Sequence, residues 1–154
     1  MKIVALLSLL FLAFLNLSQA QPSTEAERKK HFNLQRGFAA DGYDPVSYFD
    51  NKPQKGNKNI TFVHKGIKYA FANHENLKRF REKPDFYEPQ YGGWCAYAVG
   101  LDGSKVEINP NTYKIVDNKL YLFYNAFGNN TKNDWDKNEK KLLPDANKYW
   151  SKIK

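Results

Sequence analysis

A single thiol, Cys95, sits in the window Pro89-Gln90-Tyr91-Gly92-Gly93-Trp94-Cys95-Ala96 beside two adjacent glycines and two large rings. Three kinds of behaviour are open to it. With imidazoles from His64 and His74 it would form a soft and borderline donor set suited to Cu(I) or Zn(II). As a nucleophile or redox thiol it would gain thiolate character if the glycine pair leads into a helix, because the helix N-terminus favours an anion. As a small side chain buried behind the glycines it would do no chemistry. Spacing weighs against the first two. None of His31, His64 and His74 lies at ligand spacing from the cysteine, the only methionine is Met1, and no second cysteine stands ready to resolve a sulfenic acid.

A separate binding chemistry is carried by rings. Tyr43, Tyr48, Tyr87, Tyr91 and Trp94, with Gly92 and Gly93 allowing close backbone approach, would wall a concave, partly apolar pocket for a small molecule. The same rings would serve equally as packing, since 10 Tyr, 11 Phe and 3 Trp stand in for covalent staples. Asp44, followed by Pro45, reads first as a helix cap and second as a ligand group.

These groups must be carried by one small exported domain. Lys2, the apolar run Ile3 to Leu17 and the small-x-small Ser18-Gln19-Ala20 read as a signal peptide over residues 1–20, cut after Ala20. The run of about 15 residues falls short of the roughly 20 that a spanning helix needs, so no stable membrane anchor is expected. The destination is the periplasm or the exterior. A polar segment over 21–32 then precedes a single domain over 33–154. One cysteine cannot close an internal disulfide, which leaves monomer and bridged dimer both open. The net charge of +8 collects in lysine-rich clusters that read as solvated faces. Nucleic acid is excluded as a partner by export and by the lack of any nucleic-acid fingerprint.

The elements follow from local signals. Ser23 or Thr24 caps a short helix with Glu25 and Glu27 in its first turn. Asp44-Pro45 opens a helix through Tyr48 and Phe49. Thr61–His64 and Ile67–Phe71 form a hairpin across Lys65-Gly66, and Leu120 to Tyr124 returns from Tyr113–Val116 across Asp117-Asn118, with a further strand over Lys105–Ile108. Asn73 caps a helix ending before Pro84, and Asp85–Pro89 is a loop. Trp94 to Val99 is a helix closed by Gly100, or else a buried strand. Thr131 with Asp134 suggests a capping box, and Pro144 starts a last helix with Leu143, Ala146, Tyr149 or Trp150, and Ile153 as its apolar stripe. No internal repeat is apparent. The class is α+β: a small antiparallel sheet of hairpins flanked by short helices, with an aromatic-rich core and C-terminal helices packed on the sheet.

Several blocks resemble a known family. Gly42-Tyr43-Asp44-Pro45-Val46-Ser47-Tyr48-Phe49, Gly66 with Tyr69-Ala70-Phe71-Ala72-Asn73, Glu75-Asn76 with Phe80, Pro84, Tyr87-Glu88-Pro89-Gln90-Tyr91-Gly92-Gly93-Trp94-Cys95-Ala96, and Lys119-Leu120-Tyr121-Leu122 are similar to the YHS domain as found in small exported bacterial proteins. The likeness runs from about Asn33 to Trp150. Metal-associated members of the wider family, including segments attached to copper-transporting ATPases, carry cysteines in an Asp-Pro-Val-Cys opening and after the Tyr-x-Phe strand. Ser47 and Ala72 stand at those places, and a hydroxyl and a methyl cannot supply thiolate coordination. Cys95 belongs instead to the Gly-Gly-x-Cys-Ala block of the exported members. The resemblance implies a non-enzymatic accessory or binding protein, with copper or zinc held through Cys95 as the leading specific reading. A thiol-dependent redox enzyme and a small-ligand module with an aromatic pocket are the alternatives.

Overall fold

The computed structural model describes residues 24–153; the expected signal peptide at 1–20 lies outside the described residues, as do 21–23 and 154. From Thr24 onward the chain is α+β, with helices laid on small antiparallel hairpins around a core of rings. Helix α1 (Glu25–His31) is capped by Thr24, whose hydroxyl accepts the Glu27 N–H at 3.3 Å.

Four two-stranded antiparallel ladders follow one another: β1 (Leu34–Gln35) with β2 (Phe38–Ala39), β3 (Asn57–His64) with β4 (Ile67–Phe71), β5 (Asn109–Val116) with β6 (Lys119–Phe123), and β7 (Asn125–Ala126) with β8 (Asn129–Asn130). All four turns place two consecutive residues at positive φ, as in Lys65-Gly66 (47° and 80°) and Asp117-Asn118 (50° and 59°). That is the type I′ geometry, whose twist matches the flanking strands. The two long hairpins share one register. Asn57↔Phe71 and His64↔Ile67 of the first become Asn109↔Phe123 and Val116↔Lys119 of the second, a shift of 52 positions, with a bulge at the same place in each. The structure therefore repeats where the sequence shows no repeat.

Helix α2 (His74–Glu82) is capped as expected by Asn73, which accepts the Asn76 N–H at 2.8 Å. Other elements differ from expectation. Ser47–Asp50, after Asp44-Pro45, is a 3₁₀ turn rather than an α-helix. The loop expected at Asp85–Pro89 begins as helix α3 (Pro84–Tyr87), because Pro84 sits in the first turn, where a missing N–H costs nothing. Helix α4 (Ala96–Asp102) decides between helix and strand for the segment after Trp94. It ends at Gly103 (φ 83°) and not at Gly100, which lies inside the helix against the Leu142 carbonyl. Residues 105–108 are not a strand.

Helix α5 (Thr131–Ser151) joins the two helices expected around Thr131 and Pro144, with a break at Asn138 (φ −129°). Its cap is Asn130, which accepts the Lys132 N–H at 3.1 Å, while the Thr131 hydroxyl donates to the Tyr124 carbonyl at 2.9 Å. A capping box on Thr131 is thus replaced by a tie to the preceding strand. The buried stripe of α5 is Trp135, Leu142, Ala146 and Trp150, with Leu143 and Tyr149 at its margin and Ile153, just past its end, packed on the same cluster.

The core divides in three. Tyr91, Val99, Tyr121, Phe123, Trp135 and Trp150 join α4, α5 and the second long hairpin. Val46, Ile67, Tyr69, Phe71, Phe80 and Tyr87 fill the first. Tyr48, Leu120 and Leu122 bridge the halves, with Tyr48 edge-on to Tyr113 at 5.0 Å.

Candidate functional site

Cys95 is sealed, with 0 % of its surface exposed. Its sulfur accepts the Tyr124 N–H at 3.3 Å and lies 3.4 Å from the Thr131 hydroxyl oxygen. Because that hydroxyl spends its proton on the Tyr124 carbonyl, its lone pair faces the thiol, and the S–H donates to it. A closed ring results: Tyr124 N–H to sulfur, thiol to Thr131, Thr131 back to the Tyr124 carbonyl. Helix α4 does begin next to the cysteine, but the side chain makes no cap bond and no base adjoins it.

The histidines are elsewhere. His64 Nε2 meets Asp85 Oδ1 at 2.8 Å and its ring packs edge-on to Phe80. His74 opens α2, on a shallow surface with Leu77, Lys78 and Arg81. Among the described residues no three His, Cys, Asp or Glu side chains gather as a metal site. The surroundings of Cys95 do not fit copper or zinc, since the buried sulfur has only a hydroxyl beside it as a further donor and no imidazole, carboxylate or second thiol joins it among the described residues.

The rings expected around one pocket are distributed among three places. Tyr48 is buried in the bridging cluster and donates to the Pro110 carbonyl at 2.8 Å; Tyr43 packs beside it. Tyr87 lies in the first hairpin's core against Phe49 and Phe86. Trp94 donates its indole N–H to the His31 carbonyl at 2.7 Å. They separate because each packs into a different apolar cluster: Tyr43 and Tyr48 beside Tyr113 and Leu120, Tyr87 beside Phe80, and Trp94 at the edge of the α4–α5 core. Asp44 is fully buried and its carboxylate accepts three donors: the amides of Val46 and Ala72, both at 2.9 Å, and Asn76 Nδ2 at 2.7 Å. Instead of capping a helix it closes the turn before Ser47–Asp50, whose N-cap is Val46, and cross-links that turn to Ala72 and Asn76.

Tyr91 and Gly92 do line a cavity, of about 370 Å³, between α1, the Pro89–Gly92 turn and the end of α5. Its apolar wall is Phe32, Pro89, Tyr91, Trp150 and Ile153; its polar wall is Arg28, His31, Lys65, Asp85, Glu88 and Gln90. Arg28 holds the charged side together. Its guanidinium donates to the carbonyls of His64 (3.2 Å) and Lys65 (3.1 Å) and pairs with Glu88, which also accepts from the Tyr69 hydroxyl. Lys65 pairs with Asp85 at 2.7 Å; the Lys65 and His64 hydrogen bonds hold the Asp85 carboxyl below its ordinary range. Tyr91 donates to Asn147 Oδ1 at 3.0 Å, and burial, with Tyr121 adding to it, pushes its phenol up.

The glycine doublet shapes this wall. Gly92 (φ 60°) lets Trp150 approach so closely that an added Cβ would lie 2.8 Å from Cη2, whereas Gly93 (φ 80°) has nothing nearer than 3.9 Å. The backbone beyond is tied down from Asn33, whose N–H donates to the Gly92 carbonyl and whose amide donates to that of Gly93. Arg28, Glu88 and Trp150 escape sequence reasoning because they come from segments some 60 residues apart. Glu88, inside the Tyr-Glu-Pro-Gln-Tyr block, and Trp150, in the expected apolar stripe of the last helix, carried local signals, but not for this cavity.

No family model matches the chain, and neither the curated proteins nor the solved structures contain a match.

Proposed function

We propose that the protein is an exported, non-catalytic binding module of YHS type that holds a small molecule in the cavity beside the Tyr91–Gly92 turn. Export is supported by the N-terminal apolar run, and the family reading by the ordered blocks from Gly42 to Leu122. The observation that carries the binding reading is the cavity itself. Its volume of about 370 Å³ falls in the range of small-molecule sites, and it combines a ring wall with a few fixed polar groups. The charges are tied into pairs, Arg28 with Glu88 and Lys65 with Asp85, so the wall is nearly neutral overall. Paired charges hold and orient a ligand; they do not exchange protons readily. A neutral or zwitterionic molecule with one flat face fits this lining. Copper or zinc held through Cys95 is the weaker reading, because among the described residues no imidazole, carboxylate or second thiol joins that buried sulfur.

Titrating the chain from Gln21 onward with neutral and zwitterionic aromatic fragments, followed by amide and indole NMR shifts, tests the reading. Shifts centred on Tyr91, Gly92 and Trp150, removed by Ile153→Arg, support it. Fragments that move other resonances only, or none, refute it.

A further inference from the structure

We infer that the described chain is one structural unit built twice in tandem, and that Cys95 is a positioning residue standing where the first copy has Asp44. The inference does not depend on what the cavity binds. Each copy opens on three consecutive left-handed residues, Ala40-Asp41-Gly42 (φ 52°, 52°, 77°) and Tyr91-Gly92-Gly93 (54°, 60°, 80°). Each triplet is closed by an N–H reaching back three residues, Tyr43 to Ala40 and Trp94 to Tyr91. The next residue is the anchor. Asp44 N–H donates to Gln54 and Cys95 N–H to Val106, both at 2.9 Å.

The side chains of the two anchors do the same work. Asp44 accepts the Ala72 N–H and Cys95 accepts the Tyr124 N–H, and both acceptor–donor pairs lie just past the end of the returning strand. Each anchor then reaches the first turn of the following helix, Asp44 through Asn76 and Cys95 through Thr131. Between anchor and helix lie the two long hairpins in one register, and each entering strand opens on the same Asx turn, Asn59 N–H to Asn57 and Asn111 N–H to Asn109. Each hairpin leads to an asparagine-capped helix, with Asn73 and Asn130 as caps. The second copy adds one short hairpin, β7–β8, before its cap, with Phe127 fully exposed at the tip.

Through Thr131 the thiol sets the start of α5, the helix that carries Trp150 to the cavity and leads into Ile153. Its task is to accept and donate one hydrogen bond each. Cys95→Asn and Cys95→Val in the full chain separate this from simple filling of space. Asparagine offers an oxygen to Tyr124 and an N–H to Thr131 in nearly the volume of cysteine; valine offers neither.

Amide hydrogen exchange is the readout, with Ala72 in the same molecule as internal reference. In the unmodified chain, Ala72 and Tyr124 should both be among the slow amides. Cys95→Asn should keep the Tyr124 rate within about fivefold of the unmodified chain, and Cys95→Val should raise it by about tenfold or more while Ala72 is unmoved. Equal protection in both variants, or better protection with valine, would overturn the inference. If neither variant folds, the unmodified chain decides: a Tyr124 amide exchanging as fast as those of the exposed β7–β8 turn sinks it.

Discussion

Replacing Gly92 and Gly93 one at a time by alanine separates two costs that the doublet combines. Both residues have positive φ, 60° and 80°, where a side chain is disfavoured by about 1–2 kcal/mol. Only Gly92 adds a collision. Its new Cβ would meet Trp150 Cη2 at 2.8 Å, Trp150 Cζ2 at 3.1 Å and the His31 carbonyl oxygen at 3.2 Å. Neither neighbour can yield freely. Trp150 is 8 % exposed within the α4–α5 core, and the His31 carbonyl accepts the Trp94 indole N–H. Overpacking of this kind costs roughly 1–3 kcal/mol. Gly93→Ala should therefore lose about 1–2 kcal/mol and Gly92→Ala about 2–5 kcal/mol.

Urea unfolding followed by tryptophan fluorescence, extrapolated linearly to water, gives both values. Trp150→Phe then supplies the control, because the smaller ring lacks the atoms that collide. Combined with Gly92→Ala it should cost less than the sum of the two single changes. Equal losses at Gly92 and Gly93, or strict additivity with Trp150→Phe, would refute the close approach and with it the shape assigned to the cavity wall.

Asn73→Ala should cost about 1 kcal/mol through loss of the α2 cap, read as a lower urea midpoint with unchanged slope. Cys95 should resist alkylation at neutral pH in the native chain and react at the rate of a free thiol in denaturant; fast native labelling would show an accessible thiolate. Asp50 is held below its ordinary range by the Arg79 hydrogen bond, and Asp85 by those from Lys65 and His64. Carboxyls depressed in this way stabilise the fold above their unfolded value near pH 4 and lose that contribution as pH falls through the folded value. Both are substantially exposed, so Asp50→Asn should reduce the acid sensitivity by only a few tenths of a kcal/mol, measured as urea midpoints at neutral and acid pH.

The parts of the fold that were legible carry their signal in adjacent residues. Lys65-Gly66 and Asp117-Asn118 between β-rich runs declare the long hairpins, and Asn73 before a 3.6-period stripe declares α2. The short ladders β1–β2 and β7–β8 have two residues per strand, too few for alternation to show. The repeat escaped for a related reason. What the copies share is backbone geometry and hydrogen bonding, and in the hairpins only Asn57, Asn59, Tyr69 and Phe71 recur, as Asn109, Asn111, Tyr121 and Phe123. The doublet at Gly92-Gly93 did point to the cavity, but the Arg28–Glu88 pair and Trp150 depend on how distant segments pack, which no local pattern encodes.

The two anchors also show why one copy takes a carboxylate and the other a thiol. A buried charge is tolerated when enough donors converge on it, and Asp44 receives three, from Val46, Ala72 and Asn76. Cys95 receives the Tyr124 N–H alone, because the Thr131 hydroxyl gives its proton to the Tyr124 carbonyl. One donor satisfies a neutral sulfur and leaves a carboxylate stranded. Cys95→Asp should therefore destabilise the chain by about 3 kcal/mol or more at neutral pH, although the same residue type serves at position 44. Burial would raise the new carboxyl above its unfolded value, so this variant should be most stable in acid and weaken as pH rises, against the trend of the unmodified chain. Urea midpoints for both chains across this range decide the matter: a Cys95→Asp variant as stable as the parent at neutral pH would mean that further donors reach this position and that the count is wrong.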